Sequence, residues 1–359
     1  MLFWLSELTQ YCSALNIFRY ITFRSIAALF TSLFIVFLLA PRFIQWIHTK
    51  GSQPIRLDGP ETHVLTKKGK PTMGGVLILF SFVASFLLWA DLSNAYVWIA
   101  SFVLLGFGAL GAFDDIKKIT KNTHHGLSPS KKMLGQMTIA GLAIGTLMMI
   151  EPSALSGNLF FPFLKNSVFY LGPAFFIVGL LVIVGASNAV NLTDGLDGLA
   201  IGPIMIASLV LGIMAYAGGH YGFAHYLHIP FVPKAGELAV LCSILVGSGL
   251  GFLWYNAPPA MIMMGDVGAL SLGGFLGTVS VMIKQEIILA VVGGIFVIET
   301  LSVVIQVLVF KKTGRRFFLM APIHHHFEKK GWSESTVVMR FWIVSVLLGL
   351  VALSSLKLR

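Results

Sequence analysis

The chain has 359 residues, 56% of them hydrophobic and only 11% charged, with a mean hydropathy of +0.85; this excludes an ordinary water-soluble globular protein and makes lipid the main solvent. The formal charge of +10 resides in loops beside apolar runs, where it reads as topology signals and contacts with membrane lipids, so no nucleic acid is expected as a partner. Cys12 and Cys242 are far apart in sequence, so neither a disulfide framework nor a thiolate metal site is indicated.

The amino terminus opens on Ser6, Glu7, Thr9 and Gln10 ahead of a full-length span, with no cleavage pattern, so no processing is expected. Apolar windows then predict about ten transmembrane helices, near 22–46, 73–90, 96–113, 133–150, 168–187, 199–217, 237–255, 261–283, 286–310 and 337–356. No fixed-period repeat or low-complexity linker intervenes. The expected fold class is therefore all-α, a polytopic integral membrane protein with a single domain over residues 1–359.

Sidedness follows from the loops. The first connection carries Lys50, Arg56, Lys67, Lys68 and Lys70, and the third carries Lys117, Lys118, Lys121, Lys131 and Lys132. The ninth carries Lys311, Lys312, Arg315, Arg316, Lys329 and Lys330, whereas the even connections offer only Asp91, Glu151 with Lys165, Lys234, and Lys284 with Glu286. The positive-inside rule puts the odd connections in the cytoplasm and both termini in the periplasm. Parity then carries the fifth and seventh connections, which contain no Lys or Arg, to the same face.

Chemistry-bearing residues fall in those odd connections. Pro71-Thr72-Met73-Gly74-Gly75 opens the second span, and its glycines by themselves signal close helix packing. The third span ends in the adjacent carboxylates Asp114 and Asp115 followed by lysines; their mutual repulsion is relieved by a cation, which suits Mg²⁺ and phosphate chemistry, while a solvated helix end is the bland reading. The fifth connection places Asn188, Asn191, Asp194 and Asp197 three residues apart. At 100° per residue one continuous helix cannot present all four together, so Gly195 and Gly198 are expected to break it, with an aspartate also serving as N-cap of the sixth span. The seventh connection supplies Asn256 and a lone carboxylate, Asp266, between Gly265 and Gly268, an expensive charge in apolar surroundings whose natural partner is a metal ion. In the ninth, His324, His325 and His326 are consecutive and point in different directions, so they cannot all ligate one metal.

Together these stretches closely resemble the phospho-N-acetylmuramoyl-pentapeptide transferase family, within the polyprenyl-phosphate N-acetylhexosamine-1-phosphate transferase superfamily, over essentially the whole chain. The aspartate pair and the Asn-rich loop belong to the superfamily pattern; Pro71 to Gly75 and the three histidines point to this member. The resemblance implies a multi-pass enzyme of the bacterial inner membrane, working at the cytoplasmic face with Mg²⁺. Its substrates would be UDP-MurNAc-pentapeptide and undecaprenyl phosphate, and its products lipid I and UMP. It further implies that Asp266 binds Mg²⁺ with Asp114 and Asp115 at the reacting phosphates, and it counts His325 among the catalytic groups. Asn188, Asn191, Asp194, Asp197, Asn256, Gln306, Thr72, His324 and His326 would shape the nucleotide-sugar pocket, and Lys67, Lys118 and Lys132 would meet uridine diphosphate or lipid phosphate. Ala269 and Met263 depart from the family pattern, where a serine and a uracil-stacking aromatic are usual. A homodimer is left open.

A one-step displacement and a route through an aspartyl-phosphate are both compatible with these residues. A related transferase acting on UDP-GlcNAc is the nearest alternative. An ion-coupled transporter is the more distant one: it would place polar residues near the midplane of repeated halves, whereas here they lie at span ends on one face.

Overall fold

The computed structural model describes residues 1–49, 70–121, 126–162 and 168–357, so Lys67 lies outside the described residues. Two 3₁₀ segments, Leu2–Gln10 and Ser13–Arg19, precede the bundle. In chain order its helices are α1 (Ile21–His48), α2 (Gly75–Trp89), α3 (Ala95–Lys121), α4 (Pro129–Ile150), α5 (Phe175–Thr193), α6 (Ile201–Gly218) and α7 (Tyr221–Leu227), followed by α8 (Glu237–Asn256), α9 (Gly265–Met282), α10 (Glu286–Val292), α11 (Gly294–Thr313), α12 (Ile323–Lys329) and α13 (Glu334–Ser354). Nine of these are long and apolar enough to cross a membrane among the described residues, and the apolar α2 is shorter, with 15 residues. The protein is thus a nearly all-helical, multi-pass membrane protein, as hydrocarbon demands of a backbone that must satisfy its own hydrogen bonds.

Three spans differ from the sequence reading. The third, expected over 96–113, runs on to Lys121 and so carries Asp114 and Asp115 within the helix. The fifth begins later, at Phe175, because Gly172 in the left-handed region and Pro173 interrupt the run; Val168–Tyr170 instead forms a short strand, β2, paired antiparallel with β1, Asn158–Phe160. The ninth is split into α10 and α11 at Gly293, a break that the Gly293-Gly294 pair marks and the apolar window passes over.

The bundle is organised around α9, which packs chiefly against α3 and α5. Its spanning window is the most buried of the nine, at 89%, and the least apolar, with a mean hydropathy of 1.3. Both follow from its glycines. A Cβ at Gly273 would sit 2.6 Å from the Ala186 carbonyl oxygen, and one at Gly274 would sit 2.5 Å from the Phe107 ring, so small residues let neighbouring backbones close in. On the facing helix, a Cβ at Gly111 would fall 2.6 Å from the Val267 nitrogen and against the Asp266 carbonyl. Because backbone yields less than a side-chain tip, Gly111→Ala is expected to destabilise the bundle by about 1–3 kcal/mol, read as a lower unfolding temperature in detergent.

The even connections close the end of the bundle away from the residues singled out above. There Arg24 grips Glu237 with two hydrogen bonds, of 2.8 and 2.5 Å, and the Asp91 N–H donates to the same carboxylate. Lys284 pairs with Glu151 at 2.8 Å with both side chains fully buried, and its ammonium lies 4.3 Å from the Phe175 ring centroid.

Candidate active site at the odd-numbered loops

The last turns of α3 bring Asp114 and Asp115 inward, 3% and 0% exposed. The first turn of α9 brings Asp266 to meet them, so that one ligand oxygen from each of the three lies within 4.8 Å of the others. Such a concentration of buried charge requires compensation. Lys118, one turn beyond Asp114, reaches Asp114 Oδ2 at 2.6 Å and Asp266 Oδ2 at 3.0 Å; Lys132, from α4, reaches Asp266 Oδ2 at 2.7 Å. Backbone amides add to this: the Leu127 N–H donates to Asp114 Oδ1 at 2.5 Å and the Val267 N–H to Asp115 Oδ2 at 3.3 Å. Asp266 also sits where the α9 dipole favours a negative charge.

The donor set is all carboxylate oxygen, which suits a hard divalent cation rather than a soft one. Three carboxylates against two ammoniums leave one net negative charge, so these residues fit a metal ion that would share or replace the ammonium contacts.

The first and seventh connections are zipped together beside this cluster. The Met263 N–H donates to the Pro71 carbonyl, the Gly74 N–H to Met263 and the Gly75 N–H to Met264, each at 2.9 Å. Gly265 has φ +75°, and a Cβ there would lie 2.6 Å from Asp115 Oδ2 and 2.8 Å from Thr72 Oγ1, so only glycine fits a chain that turns this tightly past the carboxylates. Thr72 is thereby buried at the edge of the cluster.

In the fifth connection α5 stops at Thr193 and the chain turns through Gly198, as its glycines led one to expect. Asn188 remains on the helix and donates to Gln136 Oε1 at 2.9 Å; Asn191 and Asp194 are half-buried near the helix end. The expected aspartate N-cap is not formed: α6 is preceded by Ala200 with no side-chain cap, because Asp197 Oδ2 instead accepts from Lys70 Nζ at 2.7 Å and from the Ala260 N–H at 2.9 Å. Asn256 spans the same gap, accepting from the Gly198 N–H at 3.1 Å and donating to the Ile262 carbonyl at 2.9 Å. These two side chains brace the loops that surround the carboxylates.

The three histidines lie on α12 and diverge. His324 is buried against Gly195, with Nδ1 3.1 Å from Glu299 Oε1; His325 Nδ1 lies 2.7 Å from Glu328 Oε2. His326 accepts the Leu319 N–H at Nδ1, 3.1 Å away, and burial together with the charge of Lys330 holds it below the usual imidazole range, which favours this neutral acceptor form. Gln306, on α11, uses Oε1 to accept from the Phe317 and Phe318 N–H groups.

Sequence reasoning missed several braces. Gln136 is completely buried, Glu299 partners His324, and Glu334 Oε1 accepts the Asp197 N–H at 2.7 Å. Gln136 and Glu299 were discoverable as polar groups inside apolar spans; Glu334 carried no such signal. Residues 95–284 match the model of Glycosyl transferase family 4, more than half of the chain. The match takes in the carboxylate cluster and the fifth and seventh connections, and stops short of the histidines.

Proposed function

Because the chain belongs to Glycosyl transferase family 4, we propose that it transfers phospho-MurNAc-pentapeptide from UDP-MurNAc-pentapeptide to undecaprenyl phosphate, forming lipid I and releasing UMP, with Mg²⁺ as its metal. At the coarser level the protein is a polyprenyl-phosphate sugar-1-phosphate transferase embedded in a membrane. The observation that carries the reading is the meeting of three carboxylates and two lysines at a bundle end, where a water-borne nucleotide sugar and a lipid phosphate can both arrive. The finer choice of donor rests on Pro71 to Gly75 and His324 to His326. The setting we propose is the cytoplasmic face of a bacterial inner membrane, with residues 1–359 acting as one domain.

In this scheme an acceptor phosphate oxygen forms a bond to the β-phosphorus of the nucleotide sugar, and the bond from that phosphorus to the oxygen bridging to UMP breaks. A divalent cation held by Asp114, Asp115 and Asp266 would supply neutralisation of charge on the pyrophosphate. Lys118 and Lys132 orient phosphoryl oxygens, and Asp114 or Asp115 takes the proton of a monoprotonated acceptor. Because a second phosphate pKa near 6 leaves most of the acceptor ionised at pH 7, positioning contributes more than proton removal. Asn188, Asn191, Asp194, His325 and His326 line the donor, while Asp197, Asn256 and His324 hold the loops in register.

The test is a donor comparison with the full-length protein in detergent, undecaprenyl phosphate and Mg²⁺. UMP release from UDP-MurNAc-pentapeptide and not from UDP-GlcNAc is expected. Release from UDP-GlcNAc alone would replace the donor assignment, and release from neither would overturn the reading.

A further inference from the structure

In the donor reading the lining side chains arrive from two connections, Asn188, Asn191 and Asp194 from the fifth and His325 and His326 from the ninth. Both connections are fastened to the last helix, α13. From its first turn Glu334 Oε1 accepts the Asp197 N–H at 2.7 Å, and about two turns further on Trp342 Nε1 donates to the Gly198 carbonyl at 3.2 Å. These contacts flank the peptide that makes the turn, where Gly198 has φ +76° and its N–H donates to Asn256. Leu196 and Leu199 share one buried apolar cluster with Val337, Val338 and Phe341 of α13, and a Cβ at Gly202 would lie 2.3 Å from Trp342 Nε1. On the other side, Phe327 of α12 stacks on Trp332 with ring centroids 4.5 Å apart and meets Phe341 edge-on at 6.1 Å. The carboxylate cluster takes its bracing from other helices, through Lys118 on α3, Lys132 on α4 and the Val267 N–H on α9.

We infer that Glu334 and Trp342 are positioning residues for the nucleotide sugar, which hold the fifth connection where its side chains meet the donor and touch no substrate themselves; this rests on the assignment of that connection to the donor. Residue 197 lies between α5 and α6, outside the ladder of either helix, and a backbone N–H turned into protein must find an acceptor. Glu334 supplies it. A carboxylate in the first turn of a helix also has a purely structural use, since it favours the helix dipole. Glutamine separates the two roles, because it keeps the acceptor oxygen and drops the charge. For Trp342 the working group is the indole N–H, which phenylalanine removes while keeping a ring. A displaced turn would carry Asp194 and Asp197 with it and leave the carboxylates with Lys118 and Lys132 in place, so donor binding and the chemical step would separate.

Two measurements on the full-length protein in detergent test this: UMP release with UDP-MurNAc-pentapeptide and undecaprenyl phosphate varied in turn, and amide hydrogen exchange over residues 194–199 without substrate. Glu334→Ala is expected to raise the donor KM about tenfold, the scale of one hydrogen bond left unmade, with kcat and the acceptor KM held within about twofold. Its amides in that stretch should exchange faster. Glu334→Gln should restore both the donor KM and the protection, and Trp342→Phe should raise the donor KM in the same direction. A glutamine variant no better than alanine, or a fall in kcat at unchanged donor KM, would overturn the positioning role. Should Glu334→Ala fail to fold, Trp342→Phe decides, and an unchanged donor KM in that variant counts against the proposal. A parent protein that turns over no nucleotide sugar overturns the donor reading and the role assigned here with it, whereas unchanged exchange in Glu334→Ala overturns the clamp alone.

Discussion

Replacing Asp266 by asparagine is expected to lower transfer on the order of 10³-fold, the scale seen when one preorganised charge-stabilising group is removed from an active site. The substitution keeps the shape of the side chain and so keeps the packing of α9 against α3. What it removes is the charge on the one carboxylate that both Lys118 and Lys132 approach, at 3.0 and 2.7 Å. The local balance then changes from three carboxylates against two ammoniums to two against two, and the attraction for a divalent cation falls with it. UMP release by the purified variant, compared at matched unfolding temperature with the parent, is the measurement. Activity within tenfold of the parent would remove Asp266 from the mechanism.

The largest loss of stability is expected at the opposite end of the bundle. Lys284→Met strips the partner from Glu151, whose side chain is fully buried, in a neighbourhood where Glu286 is also buried and neither of its carboxylate oxygens has a hydrogen bond among the described residues. An ion pair broken from one side in such surroundings costs about 3–5 kcal/mol. The double change Lys284→Met, Glu151→Gln should recover part of that loss, because the charge left behind is removed with its partner. Thermal unfolding in detergent reads both. Since the carboxylate cluster lies elsewhere, the fraction that remains folded should turn over at the parental rate, and a fall in kcat would show that the two ends are coupled.

How much of this was legible in the sequence depends on what kind of constraint each feature obeys. The spans were readable because hydrocarbon admits few backbone solutions, and parity grouped the odd connections that the zipper of residues 71–75 with 263–264 and the braces at Asp197 and Asn256 in fact join. Parity gives a face and no distances, so it could bring Asp114, Asp115 and Asp266 to the same end without showing that Lys118 and Lys132 bridge them. The glycine break after Thr193 was legible from helix geometry. The Asp197 side chain was not, since its partners, Lys70 and Ala260, come from other connections and leave no periodic trace. Three successive histidines announced their divergence, but only Glu299, a span away, determines which of them turns inward.

The burial and modest hydropathy of α9 bear on how the protein is made. A segment with a mean hydropathy of 1.3 is the one among these nine that bare lipid would welcome least. Its two principal neighbours, α3 and α5, precede it along the chain and leave the ribosome first. Synthesis in that order offers α9 a protein-lined berth at the moment it must leave the translocon. Asp266 arrives with it, so the third carboxylate is installed only after the other two are in place, and an assembly intermediate that has not yet docked this helix carries an incomplete carboxylate cluster.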